Sequence, residues 1–209
     1  MPEHDAISTI VDAEKEAAKM LFGLAVAISA IPLLLRLPNR PFGIIVDISE
    51  FGFSFLILIS VWLGYWNIVS ILPLEDRTTV ALNIAILFLI SVEPYLFYLN
   101  ITFDILTHEV LLNISSILYA LDMAGLMVIL ALFMQQLLRE ERGAVPKQAM
   151  LRYKHFRDIL LVSATLFAVT ILPVFWFNKL FGQPIRFYFW FIPLVISSIS
   201  ILSERGFQQ

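Results

Sequence analysis

Six long apolar runs, joined by short polar connections, occupy most of the 209-residue chain. A bilayer core is about 30 Å thick and a helix rises about 1.5 Å per residue, so about 20 apolar residues suffice to cross it. The runs lie at approximately 20–37, 50–72, 79–99, 114–138, 159–177 and 185–202. Arg36 and Pro38 close the first, and Pro73 closes the second. Lipid offers no partner to an unpaired backbone amide, so runs of this length cross it as helices. The chain therefore reads as an all-α integral membrane protein, a six-helix bundle subunit forming one transmembrane domain over residues 1–209. The short connections leave no room for a separate soluble domain. Composition agrees: 59% of residues are hydrophobic and 15% charged, where a soluble domain carries about 25% charge. This balance excludes a soluble enzyme and a disordered chain.

Charge sets the expected orientation. Lys and Arg accumulate in cytoplasmic loops. With the N-terminus inside, Lys15, Lys19, Arg77, Arg139, Arg142, Lys147, Arg152, Lys154, Arg157 and Arg205 are internal, and only Arg36, Arg40, Lys179 and Arg186 are external. Both termini are thus expected in the cytoplasm, with the protein in the plasma membrane and the lipid bilayer as its surroundings. The acidic start (Glu3, Asp5, Asp12, Glu14, Glu16) is the opposite of a basic signal-peptide region.

Signals for enzymatic chemistry are missing. The net charge of −3 offers no basic footprint for nucleic acid. There is no cysteine, and His4, His108 and His155 are far apart in sequence and form no His-x-x-x-His metal pair. Neither a glycine-rich phosphate loop nor a Gly-x-Ser-x-Gly nucleophile turn is present. No catalytic residue, metal site or cofactor is expected.

Aromatic residues cluster near the ends of the runs: Trp62, Tyr65 and Trp66, then Tyr95 and Tyr98, then Trp176, Tyr188 and Trp190. Their position predicts interface anchors. Asn100 and Asn113 begin Asn-x-Ser/Thr triplets, read as chance occurrences close to the membrane. Asp104, His108 and Glu109 in the same connection read as a solvated face. Asp47 and Glu50, at the start of the second run, can reach water. Glu93 and Asp122 are different, because they fall within the third and fourth runs. Intramembrane carboxyl groups are rare and commonly mark transport routes or proton relays. The topology places both in the outer half, at similar depth, where they would share a proton or form a cation-attracting vestibule.

Several short motifs resemble the transmembrane protein 175 family of potassium channels. Leu82-Asn83-Ile84, followed by Pro94 in Val92-Glu93-Pro94-Tyr95, looks like the third helix of that family. Phe55-Leu56-Ile57 leading to Trp62 looks like its second helix, and Tyr119-Ala120-Leu121-Asp122 resembles a stretch of its fourth. Trp62, Asn83, Pro94 and Tyr119 are the matching structural positions. Two departures accompany the likeness. Where the family has Arg-x-x-x-Phe-Ser-Asp in the first helix, this chain has Ala13 and then Ala17-Ala18-Lys19. Where the family has Asn-His-His after the second-helix Trp, Gly64-Tyr65-Trp66 stands. The polar network between the first two helices is therefore expected to be absent or rebuilt.

The resemblance implies a homo-oligomer, a tetramer favoured, whose first helices line a potassium pore narrowed by apolar side chains. Leu24, Ile28 and Ile31 are spaced to share one helix face. A ring of such residues forms a hydrophobic constriction that gates by dewetting. Ser29, on the neighbouring face with Phe22, Ala25 and Pro32, is the candidate polar pore residue. Gly23, Ala25, Ala27 and Ala30 suit close helix packing. Two further readings compete: a proton-coupled carrier using Glu93 and Asp122, and a non-conducting relative that keeps the scaffold without the hallmark motif.

Overall fold

The computed structural model describes residues 16, 19–28, 30–31, 41–69, 77–102, 109–139, 147–180, 183–193 and 195–196. Helix α1 is Lys19–Ile28. It is followed by α2 (Pro41–Val69), α3 (Arg77–Thr102), α4 (Glu109–Leu137) and α5 (Lys147–Val169). A short helix α6 (Val174–Phe177), strands β1 (Lys179–Leu180) and β2 (Gln183–Pro184), and α7 (Ile185–Phe189) complete the described elements. The protein is thus predominantly helical, with a single two-residue strand pair among the described residues.

Helices α2, α3 and α4 have 29, 26 and 29 residues. At about 1.5 Å per residue they are about 40 Å long. They contain the three stretches among the described residues that are long and apolar enough to cross a membrane: Phe51–Val69, Arg77–Asn100 and Val110–Leu137. Their outward surfaces remain apolar. Ile84 and Phe88 on α3, and Ile114, Leu118, Leu121 and Leu132 on α4, are exposed. Contiguous exposed apolar surface of this kind is foreign to a soluble monomer and suited to contact with lipid or a partner.

Helix α4 holds the bundle together. It packs extensively against α3 on one side and α5 on the other, and touches α2 as well. Tyr119, Met123, Leu126 and Phe133 are its buried face. Ile57, Leu58 and Ile68 from α2, Ile86 and Ile90 from α3, and Phe167 from α5 complete the core. Where α3 and α4 approach, a Cβ on Gly125 would lie 3.0 Å from the Leu89 Cδ1 atom.

Element boundaries depart from the apolar runs in instructive ways. Helix α2 starts at Pro41, nine residues before the expected span, since proline is pre-set for a first helical turn and lacks only an amide that would be orphaned there. Helices α3 and α4 likewise extend past the apolar limits. The fifth run differs most. Its helix begins at Lys147 and ends at Val169, rather than spanning 159–177. Arg152, Lys154, His155, Arg157 and Asp158 lie on its first half, and charge that lowers hydropathy does not stop a helix. Its end is local chemistry. Pro173 has no N–H for the Val169 carbonyl. That carbonyl accepts from the Leu172 N–H, and the Thr170 and Ile171 amides make similarly tightened bonds. The chain then reverses through α6 and the antiparallel β1–β2 pair, with Ile185 N–H donating to the Asn178 carbonyl. Of the sixth expected span, α7 and residues 190–193 and 195–196 are described. For the first, the description covers α1 and Ala30–Ile31.

Candidate functional site

The two carboxylic acids found inside apolar runs meet in the folded chain. Glu93 comes from α3 and is fully buried; Asp122 comes from α4 and is 5% exposed. They stand close enough to interact electrostatically, with Tyr119 nearby on α4. Tyr119 and Asp122 are three residues apart on α4, a spacing that puts them on one face. From α2, the Ser54 hydroxyl donates toward both Glu93 oxygens, at 3.3 and 3.5 Å. Neither Asp122 oxygen has a hydrogen-bond partner, nor has the Tyr119 hydroxyl. Glu93 lies about 14 Å from the end of α3, and Asp122 about 20 Å from the start of α4, so the group sits well inside the bundle. An open vestibule is not what the single chain forms. Both acids are closed off from water, because Pro94 and the surrounding apolar side chains are themselves buried.

Aromatic rings close one side. Tyr119 packs against Phe97 at 5.9 Å and Trp190 at 4.7 Å between centroids. Phe53 joins Phe97 at 5.9 Å and Phe191 at 4.5 Å. Trp190 is held by its indole N–H, which donates to the Thr170 hydroxyl at 3.0 Å. This corrects the expectation that Trp190 and Tyr65 are interface anchors: both are buried and hydrogen-bonded within the bundle. A ring at a helix end packs inward when a neighbouring helix offers its polar tip a partner. Tyr95 and Tyr188 are exposed, as anchors would be.

The electrostatic cost of the acid pair is substantial. One ionised carboxyl at the centre of a membrane helix costs about 2.5–3.5 kcal/mol on insertion scales, and like charges side by side add to it. Among the described residues no base pairs with either acid. Among the described ion pairs, Lys19–Glu16 and Arg157–Asp158 both lie at the helix surface. Arg186, buried at the start of α7, donates instead to Asn113 at 3.1 Å. Its guanidinium faces the Trp176 and Phe187 rings at 5.8 and 5.5 Å, and its Nε and Nη1 have no partner. Among the described residues no group of three or more His, Cys, Asp or Glu could hold a metal ion.

A second feature is the face of α1. Phe22 and Ala25 are buried, whereas Leu24, Ile28 and Ile31 are 56%, 37% and 41% exposed. The three apolar side chains therefore share the outward face that their spacing predicts. Ser29 and Pro32 lie outside the described residues, as do Asp104 and His108. Nothing of the Asp47, Glu50 or Glu109 side chains is described either.

Tyr65 ties the first four helices together. Tyr65 on α2 donates its hydroxyl to the Asn83 Oδ1 atom on α3 at 2.5 Å, with both residues buried. Its ring meets Phe22 of α1 at 5.6 Å and Phe133 of α4 at 6.1 Å. Lys19 places its ammonium 4.9 Å from the Trp66 ring. Tyr65, Lys19 and Trp66 thus connect four helices. Trp62 is half-buried against the same core. Asn100 on α3 accepts from Ser116 and Ser115 and donates to the Leu96 carbonyl, so its amide nitrogen is occupied within the bundle. Asn113 is taken up by Arg186.

Sequence reasoning named Glu93 and Asp122 but missed two members of the group, Ser54 and the hydroxyl of Tyr119. The i, i+3 spacing of Tyr119 and Asp122 was a usable signal. Ser54 carried none, because its pairing with a residue 39 positions away depends on how α2 and α3 pack. No family model, curated protein or solved structure matches the chain.

Proposed function

We propose that this chain is one subunit of an oligomeric cation channel in the plasma membrane, resembling the transmembrane protein 175 family. It has six spans, both termini in the cytoplasm, and potassium as the permeant ion. Four copies surround the axis, with α1 lining it and Leu24, Ile28 and Ile31 forming the constriction. The observation that carries this reading is the rotation of α1: its inner face docks on Tyr65, and its apolar stripe is left without a partner in the single chain. Hydrophobic rings of this sort control passage by dewetting, with no carbonyl filter required. The excess of Lys and Arg on the inner side supports the orientation. Purified protein in liposomes should carry a potassium current, and Ile28→Ala, which widens the ring, should enlarge it. Absence of flux in protein shown to be folded and tetrameric would refute it.

A proton-coupled carrier is the second reading, favoured by the burial of Glu93 and Asp122 without a base. Transport unchanged by Glu93→Gln and Asp122→Asn would dismiss it.

A further inference from the structure

We propose that Glu93 and Asp122 form a proton-binding site inside the bundle, in which a bound proton keeps one of the two neighbouring buried carboxyl groups neutral. Three observations lead there. Glu93 is fully buried and Asp122 nearly so. Both Asp122 oxygens and the Tyr119 hydroxyl, all buried, have no hydrogen-bond partner. Two ionised acids in this position would leave a doubly negative, unpaired interior, which a protein avoids by neutralising one of the groups.

No base pairs with either acid among the described residues. Ser54 is the polar group that α2 directs at Glu93, and α4 contributes only Asp122 and Tyr119. The segment packed on Tyr119 through Trp190 has one base, Arg186, which bonds Asn113. On α5 the bases lie in the first half. Arg157 among them reaches Gln135, about 20 Å along α4 from Asp122. A proton also fits better than a metal ion. Hard divalent cations take six or more oxygens, and no third carboxylate or histidine joins the pair among the described residues. On one side Phe53, Phe97, Tyr119 and Trp190 pack ring against ring, and a proton needs only one carboxylate oxygen. On binding, a hydronium ion gives up a proton to one carboxylate and leaves as water; on release the O–H bond breaks and water takes the proton back.

This deepens the carrier reading but requires no transport, and its test reads the proton itself rather than flux. Infrared spectra of the full chain in liposomes at neutral pH should show a protonated-carboxyl carbonyl band that shifts in heavy water. The band should vanish in the E93Q/D122N double variant. If wild type and a folded double variant coincide in that region, the proposal is overturned. It is equally overturned if adding potassium or sodium at fixed pH replaces the band with carboxylate absorption, since a metal ion is then the occupant. Should the double variant not fold, an apolar carbodiimide, which adds only to protonated carboxyl groups, decides on the wild-type chain. Label mapped to Glu93 or Asp122 supports the site, and label confined to other peptides overturns it. A band present in protein that transports nothing keeps the site and discards the carrier.

Discussion

The Tyr65–Asn83 contact offers a clean perturbation of the bundle. Tyr65→Phe removes one oxygen and leaves the ring against Phe22 and Phe133, whereas Tyr65→Ala would also open a cavity costing about 3–5 kcal/mol. The size of the effect depends on the medium. Stranding a buried partner in a water-soluble protein costs about 1–3 kcal/mol. Within a bilayer, interhelical hydrogen bonds average about 0.6 and reach about 1.7 kcal/mol, because the unfolded helices also find partners. At 2.5 Å, with Tyr65 1% and Asn83 4% exposed, this bond belongs in the upper part of the membrane range. Tyr65→Phe should therefore destabilise by about 1 kcal/mol, a factor of about five in the unfolding constant. Asn83→Leu should cost a similar amount. Combined, they should cost little more than either alone, because the second substitution removes a group already stranded. Reversible unfolding in mixed micelles, run as a double-mutant cycle, measures the coupling directly. A coupling under about 0.3 kcal/mol, within the usual additivity error, would refute the claim that this bond ties α2 to α3.

Two further expectations concern packing and buried charge. Gly125→Ala should be nearly neutral, since its Cβ meets only the end of the flexible Leu89 side chain, while Gly125→Leu should destabilise by about 1–3 kcal/mol through overpacking between α3 and α4. Equal unfolding midpoints for the two variants would contradict that close approach. Asn113→Leu should cost about 1.5–3 kcal/mol by removing the acceptor bonded to the Arg186 guanidinium, a charged hydrogen bond. Arg186→Met, which removes the buried charge itself, should be tolerated better. The same unfolding assay ranks the pair, and the reverse order would show that Arg186 is satisfied in some other way.

Hydropathy alone made several features legible. The three long apolar stretches of α2, α3 and α4 follow from apolar length, which every residue in the run reports independently of its neighbours in space. The shared outward face of Leu24, Ile28 and Ile31 follows from helical spacing. So does the choice of Glu93 and Asp122 as unusual, because an acid inside an apolar run is anomalous wherever the helix goes. The ends of α5 were misread for the converse reason: helix formation follows backbone bonding and the position of Pro173, while hydropathy tracks only transfer to lipid.

What no local pattern could supply was pairing. Tyr65 stands near a run's end, as an interface anchor would, yet Asn83 on another helix draws its hydroxyl inward. Ser54 reads as a small residue suited to packing, and becomes a donor only when α2 lies beside Glu93 of α3. Arg186 counts as an external charge until α7 folds it against Asn113 and Trp176. In each case a polar group exchanges water for a specific partner. That exchange is decided by the packing of separate helices, since a hydrogen bond needs its two atoms within about 3 Å, a distance that sequence separation does not encode.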